Sequence, residues 1–297
     1  MKILISGITG FVGEHLIRAL EEKEYQICAL VRKDTDIRQV KNSANIYVFD
    51  GDIEKFMAYA KEQQFDGVIH LASLFLKEHT TYNIPNLLES NIQIGTLLLE
   101  AAKENQIKWF INTGTFWQHF QGEEYSPVNL YAATKQAFES IAKYYIETSN
   151  INFVSILLND TFGPEDKRAK IFKLWFDMIA SGRSLEMSGG EQMMDILYID
   201  DVINAYVHLI GLLIADVEKN LCGKRFALHA KERISLRGLA RIFEHTTGSK
   251  LDIHWGVKDY KKREVMVPWG GGDRLLGWEP QISITEGIQK IFHITNL

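Results

Sequence analysis

The sequence predicts an α/β protein built on a doubly wound parallel sheet, and three observations point to this fold class. Short β-branched runs alternate with helical stretches over the first two-thirds of the 297 residues, as expected when helices cover both faces of a parallel sheet. Residues 67–71 form an apolar run typical of a buried parallel strand. Three glycines separate the first strand from the first helix. We therefore expect a Rossmann-type sheet with a smaller C-terminal α/β domain.

The individual elements follow from hydrophobic period and residue type. The first helix carries Val12, Leu16, Ala19 and Leu20 at helical spacing. By the same criteria, strands are predicted at residues 2–6, 26–31, 46–49, 67–71, 109–112 and 153–158. Helices are predicted at residues 12–22, 53–61, 85–105 and 131–149.

The rhythm of the sequence changes after Gly163-Pro164. An amphipathic helix is expected at 165–186, a short strand at 195–199 and a helix at 202–213, and helix and short strand alternate from about Ser235. We expect residues 1–162, together with about 196–228, to form the Rossmann domain. The second, smaller domain then comprises about 163–195 and 229–297.

Charge and composition exclude several classes of function. A net charge of −5 and an isoelectric point near 6.0 argue against nucleic acid or a membrane as the main partner. We find no signal peptide and no uncharged apolar stretch of about 18 residues. The two cysteines, Cys28 and Cys222, are expected to be free thiols in a cytoplasmic protein. Histidines and cysteines do not cluster, so no metal site is expected.

The glycine-rich turn reads Gly-x-x-Gly-x-x-Gly, at Gly7, Gly10 and Gly13. The first glycine permits a tight turn, the second lets a pyrophosphate approach the backbone, and the third lets the helix lie against the sheet. The helix start then offers the N–H groups of Phe11 and Val12 and the positive end of its dipole. The turn predicts a dinucleotide site, although its spacing differs from the Gly-x-Gly-x-x-Gly of the dehydrogenase fingerprint.

The residues after the second strand select the cofactor. An acidic side chain there binds the ribose hydroxyls of NAD, whereas cations suit the 2′-phosphate of NADP. Arg32 and Lys33 occupy these positions, and we favour NADPH. NAD is the alternative if both are ordinary surface cations. Further cofactor contacts are expected after the third and fourth strands, at Asp52, Ile53, Leu71, Ala72 and Ser73.

Tyr131 and Lys135 lie four residues apart, on one face of a predicted helix. A free tyrosine titrates near pH 10, and a neighbouring ammonium favours the phenolate and lowers that pKa. The same lysine can hold a nicotinamide ribose. Thr113 and Thr115, at the end of the fifth strand, supply hydroxyls that can polarise a carbonyl oxygen. The pattern predicts proton transfer at a carbonyl, and the alternative is a surface Tyr–Lys pair.

With these motifs the chain resembles the extended short-chain dehydrogenase/reductase family of nucleotide-sugar epimerases, dehydratases and reductases. The resemblance covers nearly the whole chain and includes residues 91–102, 163–164, 198–202 and 275–280. It implies Tyr131 as acid/base, Lys135 as its helper and Thr113 as hydroxyl partner, with Thr115 as runner-up or substrate contact. It also implies a cofactor contact at Asn91, and a homodimer through the helices at about 86–105 and 131–149.

The subfamily follows from what replaces the family's usual residues. The 4,6-dehydratases of the family follow the catalytic threonine with Asp-Glu, and this chain has Gly114-Thr115 instead. Residues 112–119 and 129–139 are most similar to the 4-keto-6-deoxyhexose reductases, which include CDP-abequose, CDP-paratose and dTDP-fucose-forming enzymes. The resemblance implies NADPH-dependent reduction of a CDP- or dTDP-linked 4-ketosugar for surface polysaccharide. The alternatives are an epimerase that retains NAD and an NADP-binding sensor without catalysis.

Two departures from the family pattern concern the substrate. Met194 stands where members often carry an arginine that grips the diphosphate. Either another residue such as Arg263 takes that role, or the substrate is not a standard sugar nucleotide. Asp160 stands where many members have a substrate-binding asparagine. An ionised carboxylate only accepts hydrogen bonds, so Asp160 is expected to bind a sugar hydroxyl and not a carbonyl.

Overall fold

A computed structural model describes residues 1–36 and 45–295 of the chain. The strands, in chain order, are β1 (Lys2–Ser6), β2 (Gln26–Arg32), β3 (Asn45–Phe49), β4 (Gly67–His70), β5 (Trp109–Thr115), β6 (Asn152–Leu158), β7 (Asp160–Phe162), β8 (Leu185–Met187), β9 (Met193–Met194), β10 (Ile196–Tyr198), β11 (Arg225–Ala227), β12 (Ile234–Ser235) and β13 (Ile253–Trp255). The α-helices are α1 (Phe11–Glu21), α2 (Ile53–Gln63), α3 (Ile84–Leu88), α4 (Ile94–Glu104), α5 (Leu130–Thr148), α6 (Ile171–Ser181), α7 (Ile199–Ala215), α8 (Leu236–Thr247) and α9 (Ile284–Thr295).

Seven strands form one parallel sheet in the order β11-β6-β5-β4-β1-β2-β3. This confirms the predicted doubly wound sheet, with the six early strands at the predicted places. The chain order reverses between β1 and β4, and sheets of this kind bind ligands beyond the carboxyl ends of the strands at such a point. The remaining short strands pair two by two outside the main sheet: β7 with β10, β9 with β12, and β8 with β13.

The side chains of the main sheet alternate between two hydrophobic clusters, as strand geometry requires. Ile3 and Ile5 of β1 point to one cluster and Leu4 to the other. The first cluster also receives Leu16 of α1, Tyr206 of α7, Trp175 of α6 and Phe243 of α8. The second receives Phe56 of α2, Leu98 of α4 and Phe138 of α5. Since α6 and α8 share a core with the sheet, the two predicted domains are in close contact, and their boundaries stay a prediction.

Two predicted helices are shorter in the structure. The helix expected at 85–105 is interrupted by a π-helical turn at Glu89–Gln93, between α3 and α4. The helix expected at 165–186 covers only α6. The Asp166 carboxylate accepts the Arg168 N–H at 3.1 Å before α6, and Gly182, with φ of 63°, ends it. Local turn chemistry overrode the amphipathic pattern at both ends.

The described residues contain no helix that is long and apolar enough to cross a membrane. Cys28 and Cys222 are both free thiols. The helices expected to form the homodimer expose Leu88 and Tyr144. The dimer itself stays a prediction.

Candidate active site

The glycine-rich turn lies at the carboxyl end of β1 and is shaped by close backbone contacts. Gly7 has φ of +81°, and a Cβ there would lie 2.4 Å from the Ala72 backbone nitrogen. A Cβ on Gly13 would lie 2.3 Å from the Gly7 carbonyl oxygen. At Gly10, which is exposed, the nearest atom to a Cβ is 3.3 Å away. The fold therefore needs Gly7 and Gly13, whereas Gly10 leaves open backbone at the start of α1, as a bound pyrophosphate requires.

We expect a Gly13→Ala substitution to lower stability by at least about 2 kcal/mol, because its Cβ meets backbone that cannot move independently. NADPH binding, measured by fluorescence titration, should fall with it. The matched control is Gly211→Ala in α7, where a Cβ meets nothing within 4 Å. That change should leave the melting temperature equal or slightly higher, because alanine favours helix. Equal melting temperatures for the two variants would contradict the packing argument.

A cavity of about 210 Å³ opens beside the turn and is the candidate cofactor cleft. Six of the residues predicted to contact the cofactor line it: Gly7, Gly10, Arg32, Leu71, Ala72 and Ser73. Sequence reasoning missed other lining residues, among them Thr9, Thr35, Phe49, Ser90 and Ile94. Phe49 ends β3, which runs beside β2, so its position at a carboxyl end was the available signal. Phe11 and Val12 open α1 next to the turn.

Nine predicted cofactor residues do not line this cleft, and three of them follow β2 and β3. Lys33 is exposed beyond the end of β2. Asp52 caps α2, where its carboxylate accepts the Lys55 N–H at 3.1 Å and pairs with the Lys55 ammonium at 2.9 Å. Ile53 is the first residue of α2 and is exposed. The acidic residue after β3 is therefore used to start a helix.

Asn91, expected to contact the cofactor, is fully buried in the π-helical turn. Its amide oxygen accepts the Leu74 N–H at 2.7 Å and the Ser73 hydroxyl at 3.3 Å. Its amide nitrogen donates to the Thr134 hydroxyl at 2.9 Å and to the Leu74 carbonyl at 3.2 Å. These four bonds use the full capacity of the amide. Asn91 thus fixes the segment after β4 against α5, and π turns often occur at such sites.

Tyr131 lies in the first turn of α5, which Asn129 caps by accepting the Ala132 N–H at 3.0 Å. The edge of the Phe75 ring contacts the Tyr131 ring, with centroids 5.0 Å apart. Burial raises the pKa of Tyr131 to about 12, while hydrogen bonds from the Ser73 and Thr115 side chains act to lower it. The sequence analysis attributed a lower Tyr131 pKa to Lys135. In the structure, the side chains that act to lower this pKa are those of Ser73 and Thr115. Tyr131 is therefore a protonated phenol at neutral pH.

Lys135 follows one turn later and is 2% exposed. Its ammonium has no hydrogen-bond partner among the described protein atoms. Burial lowers the pKa of Lys135 to about 8, opposed by the carboxylate of Glu139. A buried and unpaired ammonium is costly unless a ligand completes its contacts, so this group fits a ribose hydroxyl of a dinucleotide.

The two threonines at the end of β5 have different partners. The Thr115 side chain accepts the Trp117 N–H at 3.3 Å and hydrogen-bonds Tyr131. The Thr113 hydroxyl lies 2.6 Å from the hydroxyl of Tyr206 in α7. Thr115 is thus the threonine in direct contact with Tyr131, while Thr113 is joined to a residue that sequence reasoning missed. Tyr206 lies in the helix predicted at 202–213, and the sequence analysis gave it no role.

A larger cavity of about 1030 Å³ extends from Trp117 and Leu130, next to Tyr131, to the segment at 261–265. Asp160 and Arg263, the predicted substrate residues, both line it, as does Met194. The Asp160 carboxylate pairs with the Lys170 ammonium at 2.7 Å. Arg263 donates to the Ser126 hydroxyl at 2.8 Å and stacks over the ring of Phe120. The cavity thus carries fixed cations within reach of an anionic ligand.

Asp195, next to Met194, is buried and fully engaged. It accepts from His229, Arg233 and the Ala230 N–H at 3.0, 3.0 and 2.8 Å. The carboxylate raises the pKa of His229. Within residues 1–36 and 45–295, no three His, Cys, Asp or Glu side chains group as metal ligands would.

The fold and the site define a Rossmann enzyme that uses a nicotinamide dinucleotide. The chain belongs to the NAD dependent epimerase/dehydratase family, whose sequence profile matches residues 3–218. This confirms the resemblance to extended short-chain dehydrogenase/reductases. The chain is 27% identical to the CDP-abequose synthase of Salmonella muenchen, over 98% of this chain and 96% of that protein.

The fold is also similar to those of solved epimerases. The UDP-glucuronic acid 4-epimerase from Bacillus cereus, in complex with UDP-glucuronic acid and NAD, superposes with a TM-score of 0.83 at 22% identity, covering 100% of this chain and 99% of that one. The UDP-glucose 4-epimerase from Thermotoga maritima, with UDP-glucose, gives a TM-score of 0.84 at 20% identity, with the same coverage. These likenesses confirm the fold class.

Proposed function

We propose that the protein reduces the C4 ketone of a nucleotide-linked 4-keto-6-deoxyhexose, with NADPH as the reductant. The observation that carries this proposal is the position of the Tyr131 phenol. Ser73, one of the two hydroxyls that act on the pKa of this phenol, lines the cofactor cleft, and the neighbouring Leu130 lines the larger cavity. The similarity to CDP-abequose synthases supports a nucleotide sugar as the occupant of that cavity.

The chain's residues divide the work around the ketone oxygen. When bound, the dihydronicotinamide supplies the hydride that C4 accepts. Tyr131 gives its proton to the oxygen as negative charge develops there, and a high pKa keeps that proton available at neutral pH. Thr113 donates a hydrogen bond to the same oxygen. Lys135, whose buried ammonium has no hydrogen-bond partner among the described atoms, holds the nicotinamide ribose.

Dehydration is disfavoured by the residues beside Thr113. The family's dehydratases carry two carboxylates where this chain has Gly114 and Thr115. A Cβ on Gly114 would lie 3.0 Å from the amide oxygen of Gln118 and 3.3 Å from the carboxylate of Glu139. An acidic side chain there would face another carboxylate, which costs free energy. This supports a reductase over a dehydratase.

Arg32 supports NADPH as the cofactor, because its half-exposed side chain borders the cofactor cleft. Its Nε atom lies 3.5 Å from the Asp34 carboxylate. We expect Arg32→Ala to raise the KM for NADPH about tenfold, since a charge-assisted phosphate contact is lost. The KM for NADH should stay within a factor of two, an allowance of about 0.4 kcal/mol. Arg183→Ala removes an exposed arginine elsewhere and serves as the control. Equal changes for both cofactors would contradict the NADPH preference.

The substrate subsite is proposed to use Arg263, Asp160 and Thr115. Arg263 is oriented by Ser126 and Phe120 and supplies the diphosphate cation that Met194 does not. Asp160 keeps one carboxylate oxygen on Lys170, so its other oxygen is the one that accepts a sugar hydroxyl.

The test is the decay of NADPH absorbance with CDP- and dTDP-linked 4-keto-6-deoxyhexoses, each made in place by a dehydratase. We expect stoichiometric oxidation with one of the two, and the active one identifies the nucleotide. Purified protein that carries tightly bound NAD and oxidises no NADPH would replace this proposal with the epimerase. NADPH binding without oxidation of either sugar would overturn the substrate assignment.

A further inference from the structure

Tyr206 places a hydroxyl inside an otherwise hydrophobic cluster. It lies in α7 with 0% exposure and belongs to the cluster that covers one face of the sheet. A phenol buried in such surroundings needs a hydrogen-bond partner. Its hydroxyl reaches Thr113, 2.6 Å away. This hydrogen bond joins the hydrophobic cluster to the candidate active site.

The geometry allows either hydroxyl to donate in this hydrogen bond, and burial decides between them. Burial raises the pKa of Tyr206 above its ordinary value, the hydrogen bond with Thr113 acts to lower it, and interaction with Tyr131 acts to raise it. The phenol therefore keeps its proton. A phenol proton buried without an acceptor is costly, so Tyr206 donates and the Thr113 oxygen accepts. Thr113 then has its own proton left to donate elsewhere.

Thr113 has room to use that proton, because it is only half-buried whereas the residues around it in β5 are buried. It lies two residues before Thr115, which hydrogen-bonds Tyr131. Residues two positions apart on a strand share a face of the sheet, so the side chains of Thr113 and Thr115 lie on the same side. If the Thr113 hydroxyl accepts a hydrogen bond from Tyr206, its own proton has one preferred direction. A hydroxyl that is already oriented needs less reorganisation during the reaction.

We propose that Tyr206 is a positioning residue that turns the Thr113 hydroxyl proton toward the reacting carbonyl oxygen. This inference rests on the proposed function, in which Thr113 donates to that oxygen. Tyr206 acts only through Thr113 and touches neither substrate nor cofactor.

The experiment compares Tyr206→Phe with Tyr145→Phe. Both changes remove one hydroxyl from a buried tyrosine whose hydrogen bond is 2.6 Å long, and Tyr145 donates to Glu100, away from the site. We expect Tyr206→Phe to lower kcat for the ketosugar about tenfold, which corresponds to the worth of one oriented hydrogen bond. The KM values and the NADPH affinity should not change. Tyr145→Phe should keep kcat within a factor of two, an allowance of about 0.4 kcal/mol.

A double-variant cycle separates positioning from general loosening of the core. Thr113→Val alone should lower kcat at least as much as Tyr206→Phe, and the double variant should be no slower than Thr113→Val. Additive losses would overturn the inference. Full turnover of Tyr206→Phe, together with slow turnover of Thr113→Val, would also overturn the inference. That result would leave the proposed function intact. A Thr113→Val enzyme at full rate, or no ketosugar reduction by the unaltered enzyme, would overturn the proposed role of Thr113 and this inference together.

Discussion

The Tyr131→Phe variant is expected to lose at least about 100-fold of its turnover, the lower end of what a positioned general acid contributes. The Ser73 and Thr115 hydroxyls act to lower the pKa of this phenol, and burial raises that pKa and keeps the phenol protonated. Phenylalanine fills the same space beside Phe75, so the pocket retains its shape. NADPH affinity, measured by fluorescence titration, should therefore stay within a factor of about three, or roughly 0.7 kcal/mol.

The control is Tyr144→Phe, which removes an exposed hydroxyl from the same helix. It should retain full turnover and the melting temperature of the unaltered enzyme. Full turnover in Tyr131→Phe would contradict the proposed acid. Loss of NADPH binding together with turnover would indicate that the hydroxyl serves the cofactor cleft and not the ketone.

The fold was predictable because its elements are strongly patterned. β4 and β6 are buried throughout and mostly apolar, as strands covered on both faces are. The glycine spacing then predicts which end of β1 holds the cofactor, and the structure places the candidate cleft at that end. Tyr131 and Lys135 were predictable as a pair, since they are one turn apart on a single helix.

Features that depend on tertiary contacts were not predictable. The π turn at Glu89–Gln93 lies where Asn91 hydrogen-bonds Ser73, Leu74 and Thr134, which belong to the segment after β4 and to α5. A single-sequence pattern treats the segment as ordinary helix. Similarly, the Asp52 carboxylate is the N-cap of α2, a contact that the sequence reasoning did not foresee, and its role toward the cofactor stays a prediction.

The threonines illustrate the same limit at the site. Thr113 and Thr115 lie two residues apart on β5, and only the family resemblance ranked Thr113 above Thr115 as the hydroxyl partner. Their difference comes from α7, which presents Tyr206 to Thr113, and from α5, which presents Tyr131 to Thr115. Local sequence spacing cannot show contacts between elements that are far apart in the chain. Thr113 and Tyr206, for example, are separated by 93 residues.

Lys135 is the residue at which function and stability oppose each other most directly. Its ammonium is buried without a hydrogen-bond partner among the described atoms, so the folded state carries it at a cost. The pKa of Lys135 is about 8 in the folded chain and near 10.4 in an unfolded one. The unfolded state therefore binds more protons between these values, and this residue's contribution to stability rises with pH across that range. Activity should move the other way, since the ammonium is lost above about pH 8.

We therefore expect Lys135→Met to lose at least about 100-fold of its turnover and to be more stable at pH 7, by about 1–3 kcal/mol. Methionine has a similar volume and helix propensity, so the gain reports the removed charge. The measurements are kcat and thermal unfolding at pH 7 and pH 10, where the stability difference should narrow. Lys143→Met, on the exposed side of α5, is the control and should change neither quantity appreciably. A Lys135→Met variant of lower stability would contradict the argument that the buried ammonium destabilises the fold. Full turnover in this variant would contradict a role of Lys135 in the reaction.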